Sequence, residues 1–285
     1  MTGTQWKMLR LLPAICILAL ASAAAAQTPP ETTPPTTETT PATPPPTPPP
    51  DALGHDRLFL AFAEDATFTD KQWWEGQLEV ADGDPVDFTI VRVQVALQPI
   101  KSLEVGGRVG FGNSNGSGNF PDGSGATDLD AWGKWNFGEV GDNTSWTAGA
   151  LLTVPTGDDT AGLGTDAFNI ELFGAGRFRM KRMTIAGHLG FRFNDDGQIG
   201  GFPLEGKTST VVGGAVLFPM GHNLTAIGEI NYETERFRDA EADARILGGV
   251  DWAVVPRGVV RAALAGGLTD GAPNLQLIVG YAGLF

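Results

Sequence analysis

The end of the chain, residues 275–285 (LQLIVGYAGLF), alternates between large apolar residues and small or polar ones. Side chains along a β-strand point to opposite faces in turn, so an alternating run has one apolar face. The apolar face here holds Leu275, Leu277, Val279, Tyr281 and Phe285, and the opposite face holds Gln276, Gly280 and Ala282. An apolar strand face without a covering layer needs lipid as its solvent. This run therefore predicts the last strand of a transmembrane β-barrel, with Tyr281 and Phe285 as its signal to the barrel-assembly machinery.

Similar segments recur every ten to fifteen residues between boundaries rich in Gly, Pro, Asn or Asp. We predict twelve strands, at 71–80, 87–98, 103–112, 128–137, 145–156, 167–179, 183–194, 208–218, 224–236, 244–255, 259–269 and 274–285. An even number returns both chain ends to the periplasmic side, where short turns are expected, with mostly longer loops outside. The predicted fold is all-β: an antiparallel up-and-down barrel of about twelve strands in the outer membrane.

The two faces of these strands differ in chemistry. One face is rich in aromatic and aliphatic residues, such as Phe111, Trp135, Leu172, Phe191 and Trp252. Basic side chains on a lipid-facing surface cost about 2–4 kcal/mol near the membrane midplane, so the charged face should point into the lumen. We predict a lumen lining of Glu75, Glu79, Arg92, Glu104, Arg108, Asp130, Lys134, Glu171, Arg177, His188, Arg192, Glu229, Glu233, Arg245, Asp251 and Arg261. A soluble β-sandwich, in which the apolar faces meet, is the alternative fold.

Acids and bases are nearly balanced in this predicted lining, which suggests pairs across neighbouring strands. Glu104 with Arg92 and Arg108 with Asp130 are two candidate pairs. Such a network either fills and stiffens the barrel or selects solutes by charge and width. Because eight strands give a filled lumen and sixteen an open channel, twelve should leave a narrow passage at most.

The front of the chain is organised in three parts before the barrel, which we place at 71–285. Residues 1–26 have the basic, apolar and small-residue regions of a secretory signal peptide, and the single cysteine, Cys16, lies within it. Residues 27–50 are almost entirely Pro and Thr, which predicts an extended periplasmic spacer able to contact the cell wall. Residues 51–70 could extend the first strand, lie on the inner leaflet or enter the lumen as a plug.

Composition argues against several kinds of function. The net charge is −14, or −16 without Lys7 and Arg10 of the signal, and no basic stripe is present, so nucleic acid is an unsuitable partner. Scattered histidines predict no metal site, and we expect no cofactor. His188 lacks a recognisable nucleophile motif nearby, so we assign no catalytic residue.

One stretch of sequence is distinctive. The run Leu151-Leu152-Thr153-Val154-Pro155-Thr156-Gly157, with Asp158-Asp159 and then Gly162-Leu163-Gly164-Thr165-Asp166, resembles a segment of outer-membrane proteins of the meta-pathway phenol-degradation transporter family. Residues 125–134 (GATDLDAWGK) resemble an upstream strand of the same family. The resemblance extends in order and rhythm over about 70–285, and it implies a barrel that passes small, often aromatic or hydrophobic solutes. Pro155, Thr156 and Gly157 are expected to end a strand, or else to contact the solute.

These observations predict passive permeation of small solutes through an outer-membrane barrel, with hydrophobic or aromatic compounds suggested by the resemblance. The partners would be membrane lipid and a small-molecule solute. A closed structural or anchoring barrel and an outer-membrane hydrolase are the two rival functions.

Overall fold

A computed structural model describes residues 58–59, 72–83, 86–116, 122–139, 143–221, 223–255 and 257–284. The predicted signal peptide, the Pro-rich spacer, most of 51–70 and the terminal Phe285 lie outside these residues. Predictions about those segments therefore stay predictions.

Fifteen strands form among the described residues. They are β1 (Trp73–Asp82), β2 (Val86–Ile100), β3 (Leu103–Gly116), β4 (Gly123–Ala126), β5 (Leu129–Glu139), β6 (Thr144–Val154), β7 (Asn169–Arg179), β8 (Thr184–Asn194), β9 (Gly197–Ile199), β10 (Phe202–Leu204), β11 (Thr208–Pro219), β12 (Leu224–Glu233), β13 (Asp243–Val255), β14 (Gly258–Gly267) and β15 (Leu275–Leu284). Twelve of them pair antiparallel, each with its neighbour along the chain, and β1 pairs with β15 to close the ring. The predicted twelve-stranded up-and-down barrel is confirmed.

The three remaining strands are short and belong to long connections. Strand β4 pairs with the end of β3, and β9 pairs with β10 as a separate hairpin. Strands β4, β9 and β10 lie between predicted strands, because none of them is long enough to show alternation in the sequence. Strand β3 also extends to Gly116, beyond the predicted end at 112, because it stays paired with β2 as far as Val86.

Long and short connections alternate around the ring. We call the end that carries Trp73 and Leu284 the inner end, and the other the outer end. The short connections 101–102, 140–143, 180–183, 220–223 and 256–257 join strands at the inner end, whereas the longer connections 117–128, 155–168, 195–207, 234–242 and 268–274 join strands at the outer end. The exception is the connection 83–85, which is short although it joins β1 to β2 at the outer end. Within the described part of the chain, no helix is long and apolar enough to cross a membrane.

The outward face of the ring is an apolar band, and no layer of described residues lies over it. It exposes aliphatic residues such as Leu189, and aromatic residues gather near both ends of the strands. The inner-end aromatics are Trp74, Trp135, Phe137, Trp146, Phe178, Phe218, Trp252 and Tyr281, and the outer-end ones are Phe111, Phe168, Phe191, Phe193 and Tyr232. Two aromatic girdles around an apolar band are the surface of a membrane-embedded barrel, so the sandwich alternative is wrong.

Candidate functional site: the barrel interior

The charged residues of the predicted lumen lining all lie on the inward face. Most are almost completely buried, and Arg92, Arg108, Asp130 and Arg245 keep partial exposure because they border a cavity. This placement follows from strand parity, since inward charges that share a strand are four or six residues apart, an even number in every case. These groups lie at different depths along the lumen, and only some of them border a cavity.

The inner part of the lumen is filled by a cluster around Glu104. The rings of Trp73 and Trp132 stack with centroids 6.3 Å apart, and both indole nitrogens donate hydrogen bonds to the Glu104 carboxylate, at 3.4 and 3.3 Å. The Lys134 ammonium lies 3.1 Å from the same carboxylate. Leu151 and Ala96 pack against the two rings. Since Trp73, Glu104 and Lys134 are each less than 3% exposed, this level of the lumen is closed to water.

A second buried cluster centres on Arg261. Its guanidinium contacts Asp251 through Nε at 2.9 Å and Glu75 through Nη1 at 3.1 Å. The same group donates to the backbone carbonyl of Leu58 at 3.1 Å, and its carbon lies 4.3 Å from the centre of the Phe59 ring. Two carboxylates and an aromatic face thus surround one cation, an arrangement that offsets the cost of burying it.

Leu58 and Phe59 therefore lie inside the barrel, ahead of β1 in the sequence. The backbone N–H of Phe59 donates to Glu229 at 2.6 Å, and the ring packs with Leu247, Ile278 and other inward apolar residues. A Cβ at position 249 would come within 2.8 Å of the Phe59 ring, so Gly249 makes this close approach possible. Of the three positions considered for residues 51–70, Leu58 and Phe59 lie in the lumen and do not extend the first strand.

A third network connects the middle of the lumen to its outer half. Arg192 lies between Glu171, at 2.6 Å, and Glu233, at 3.0 Å, while Ser209 donates to Glu233 at 2.8 Å. His188 Nε2 is 3.3 Å from Glu171, and its Nδ1 has no hydrogen-bond partner among the described residues. The Ser209 hydroxyl is engaged with Glu233 and Asn194, so it is not paired with the histidine. The described contacts give His188 no activated nucleophile.

A cavity of about 360 Å³ occupies the outer part of the lumen. Its floor includes Phe59, and its wall combines apolar and charged side chains. The basic residues of the wall are Arg92, Arg108, Arg192, Arg236 and Arg245, and the acidic residues are Glu79, Asp128 and Asp130. Arg236 was not among the predicted site residues, because the predicted strand 224–236 put it on the face opposite Glu229 and Glu233, whereas β12 ends at Glu233 and Arg236 lies in the loop after it.

The three carboxylates on the cavity wall already have partners for both oxygens. Asp130 accepts from Arg108 at 2.7 Å and from Thr153 at 2.6 Å, which confirms that predicted pair. Glu79 binds Arg92 at 3.3 Å and Gln276 at 3.2 Å. The predicted pair of Glu104 with Arg92 is wrong, because Glu104 lies deeper in the lumen with the two tryptophans.

The distinctive sequence motifs meet at the outer mouth of this cavity. Asp128 accepts from the backbone N–H of Gly157 at 2.9 Å and of Thr165 at 3.1 Å, so it closes the loop 155–168 into a compact turn. Gly157 and Gly164 lie against each other, and a Cβ on either would be 2.8 Å from the other's Cα. Leu163 points inward and packs with Ile90. Pro155, Thr156 and Gly157 do not line the cavity, whereas residues 162–165 do.

Several lumen residues escaped the sequence analysis although strand parity could have found them. Trp73 has the parity of Glu75 and Glu79, and Trp132 lies between the inward Asp130 and Lys134. Neither was predicted to line the lumen, because the predicted lining was chosen from charged residues and histidine. Glu235, which has the inward parity of Glu233 in the predicted strand 224–236, instead pairs with Lys207 on the exposed outer loops.

The closed ring, its apolar outer band and its charged interior define an outer-membrane β-barrel. Its fold is similar to that of an outer membrane channel from Pseudomonas putida F1, with a TM-score of 0.68 at 13% identity over 80% of this chain and 100% of that one. The NanC porin gives a TM-score of 0.54 at 9% identity, covering 74% of this chain and 100% of its own. The KdgM porin, in complex with oligogalacturonate, gives 0.53 at 10% identity, covering 75% and 99%.

At these identities the similarity shows the fold, and the neighbours are channels and porins rather than enzymes. No protein-family model matches the chain, and no curated protein matches it. The resemblance to the phenol-degradation transporter family therefore stays a prediction.

Proposed function

We propose that the protein is an outer-membrane channel for small solutes whose lumen, in the conformation described, is closed by Phe59 and by the cluster around Glu104. The observation that supports this most directly is the interruption of the lumen. A cavity with a charged wall ends on Phe59, and Phe59 is held by Glu229 and Arg261 through side-chain contacts rather than by strand pairing. Such contacts can be exchanged for water without breaking the ring of strands.

Single-channel recording in planar bilayers tests this proposal. Phe59→Ala removes the ring under the cavity, so we expect larger or more frequent conductance steps than in the parent protein. Phe191→Ala is the matched control, because Phe191 faces lipid and borders no lumen group. Conductance steps that are unchanged by Phe59→Ala would overturn the role of Phe59, and silent membranes with all three proteins would overturn the channel.

A closed structural barrel is the second candidate function, and the packing around Glu104 favours it. Trp73, Glu104 and Lys134 seal the lumen on the inner side of the cavity, so removing Phe59 alone need not open a path. In that case the predicted spacer would contact the cell wall and the barrel would serve as its anchor. Silent bilayers, together with co-sedimentation of the full chain with purified cell wall, would identify this function.

We infer no preferred solute from the resemblance alone. Liposome swelling with sugars, amino acids and aromatic acids would rank the classes of solute, and selective entry of aromatic compounds would support the implied substrate class. Equal entry of all three classes at rates set by size would argue for an unselective pore.

A further inference from the structure

Two arginines on the outer cavity have hydrogen-bond donors that the protein does not use. Arg92 reaches Glu79 through Nη1 at 3.3 Å. Arg236 reaches Asn194 and Glu233 through Nε, at 3.4 and 3.7 Å, and its guanidinium lies over the Phe237 ring. A guanidinium carries five N–H donors, and the described residues supply these two groups with no further hydrogen-bond acceptor. Both arginines line the cavity, so their remaining donors are within its wall.

The carboxylates on the same wall already interact with protein groups. Both oxygens of Asp128, Asp130 and Glu79 accept hydrogen bonds from the protein. Burial lowers the pKa of Arg236, and the nearby positive charge of Arg192 lowers it further, although Glu233 opposes the effect. Arg236 keeps a third of its side chain exposed, and an anion beside it would offset the repulsion from Arg192.

The rest of the cavity wall suits an apolar body. Phe88, Ile90, Leu151, Leu163 and Ile278 contribute aromatic and aliphatic surface between the arginines. The volume of about 360 Å³ lies near the lower end of ligand pockets, which start at roughly 300 Å³, so the cavity fits a small molecule and excludes an oligomer.

We propose that the outer cavity is a binding site for a small organic carboxylate with an apolar body, which Arg92 and Arg236 hold by its oxygens. Strand β2 carries Arg92, and Arg236 follows β12, almost across the ring, so the two guanidiniums approach an anion from different sides. Charge-assisted bonds from arginine to carboxylate are among the strongest that side chains form. That this ligand is the transported solute rests on the proposed channel function. Binding in the cavity requires no passage through the barrel.

Equilibrium titration of the full-length protein in detergent micelles tests the site, with benzoate as the probe. Benzyl alcohol has nearly the same shape without the charge, and acetate has the charge without the ring. We expect saturable binding of benzoate, and at least about tenfold weaker binding of each of the other two, since each lacks one half of the recognition.

The variant that tests the two arginines is Arg92→Gln with Arg236→Gln, for which we expect benzoate affinity to fall at least about tenfold. Arg238→Gln is the control for loss of an arginine near the cavity, because it removes one positive charge two residues from Arg236, and Arg238 pairs with Glu205 on the exposed surface. Retained heat-modifiable mobility on electrophoresis would show that the double variant is folded.

Three results would overturn the site: no saturable benzoate binding, equal affinity for benzoate and benzyl alcohol, or equal losses in the double variant and Arg238→Gln. Because these are binding measurements, their failure leaves the conductance test of the channel intact. Silent bilayers would conversely leave the binding site standing.

Discussion

The Asp128 carboxylate accepts a hydrogen bond at 3.1 Å from the backbone N–H of Thr165, 37 residues further along the chain. Its other oxygen accepts from Gly157 at 2.9 Å, so a single side chain fixes both ends of the loop that borders the cavity. The two sequence patches that suggested a family resemblance are thus parts of one structural unit. Their distinctiveness reflects the architecture of the loop as much as contact with any solute.

Replacing Asp128 by Ala should release this loop while leaving the barrel folded. Each hydrogen bond to a charged group is worth about 1.5–3 kcal/mol, so we expect amide exchange in residues 157–166 to accelerate by at least about tenfold. Hydrogen exchange read by mass spectrometry measures the change. Asp122→Ala, at an exposed position in another outer loop, is the control, and equal exchange in the two variants would contradict the proposed clamp.

Asp158 of the same loop should stay ionised to a lower pH than an ordinary aspartate. The Thr160 hydroxyl donates to Asp158 at 2.6 Å and the Ala161 N–H donates at 3.1 Å, which together lower the pKa of that carboxyl below its usual 3.8. A lowered folded-state pKa contributes stability that is present above 3.8 and is lost as the pH falls through the lower folded value.

Thr160→Val removes the largest of these effects, so the pKa of Asp158 should move up towards 3.8, whereas Thr160→Ser keeps the hydroxyl and should change little. The carboxyl carbon chemical shift followed over an acid titration measures both. A titration curve that is the same in the valine variant and the parent would show that the hydroxyl does not act on this carboxylate.

The buried pair of Glu104 with Lys134 allows a test of whether water reaches the inner part of the lumen. Glu104→Gln removes the carboxylate charge beside Lys134, which is 1% exposed, and loss of a partner from a buried pair costs about 3 kcal/mol. Glu235→Gln removes the partner of the exposed Lys207 and should cost about 0–1 kcal/mol. Equilibrium urea unfolding compares the two, and equal losses would mean that water reaches Lys134.

Strand number, strand direction and the identity of the inward face could all be predicted from the sequence, because alternation with a period of two encodes them directly. The pair of Arg108 with Asp130 was also predictable, since the two residues face each other on adjacent strands. The predicted pair of Glu104 with Arg92 is wrong because two residues on adjacent strands of a tilted barrel can still lie at different depths in the lumen.

Other features had no periodic signal. Leu58 and Phe59 lie in the lumen through contacts with Glu229 and Arg261 that are about 170 and 203 residues away along the chain. Arg236 contributes to the cavity from a loop, although alternation over the predicted strand 224–236 placed it on the outward side. Such contacts depend on how the closed ring brings distant residues together, which one sequence read by local pattern does not specify.

The apolar outer face makes a prediction that depends on depth in the membrane. Leu189 lies at the middle of β8, and Phe178 lies near the inner end of β7, with similar exposed fractions of 49% and 47%. Lysine at the midplane of a barrel surface costs about 2–4 kcal/mol and near the interface about 0–1 kcal/mol, because the longer path to water leaves the ammonium in hydrocarbon. Leu189→Lys should therefore destabilise the barrel in lipid vesicles far more than Phe178→Lys does, as measured by equilibrium urea unfolding. If the two substitutions cost the same, the band between the aromatic girdles would not be facing hydrocarbon, and the charged interior would lose the physical reason for its placement.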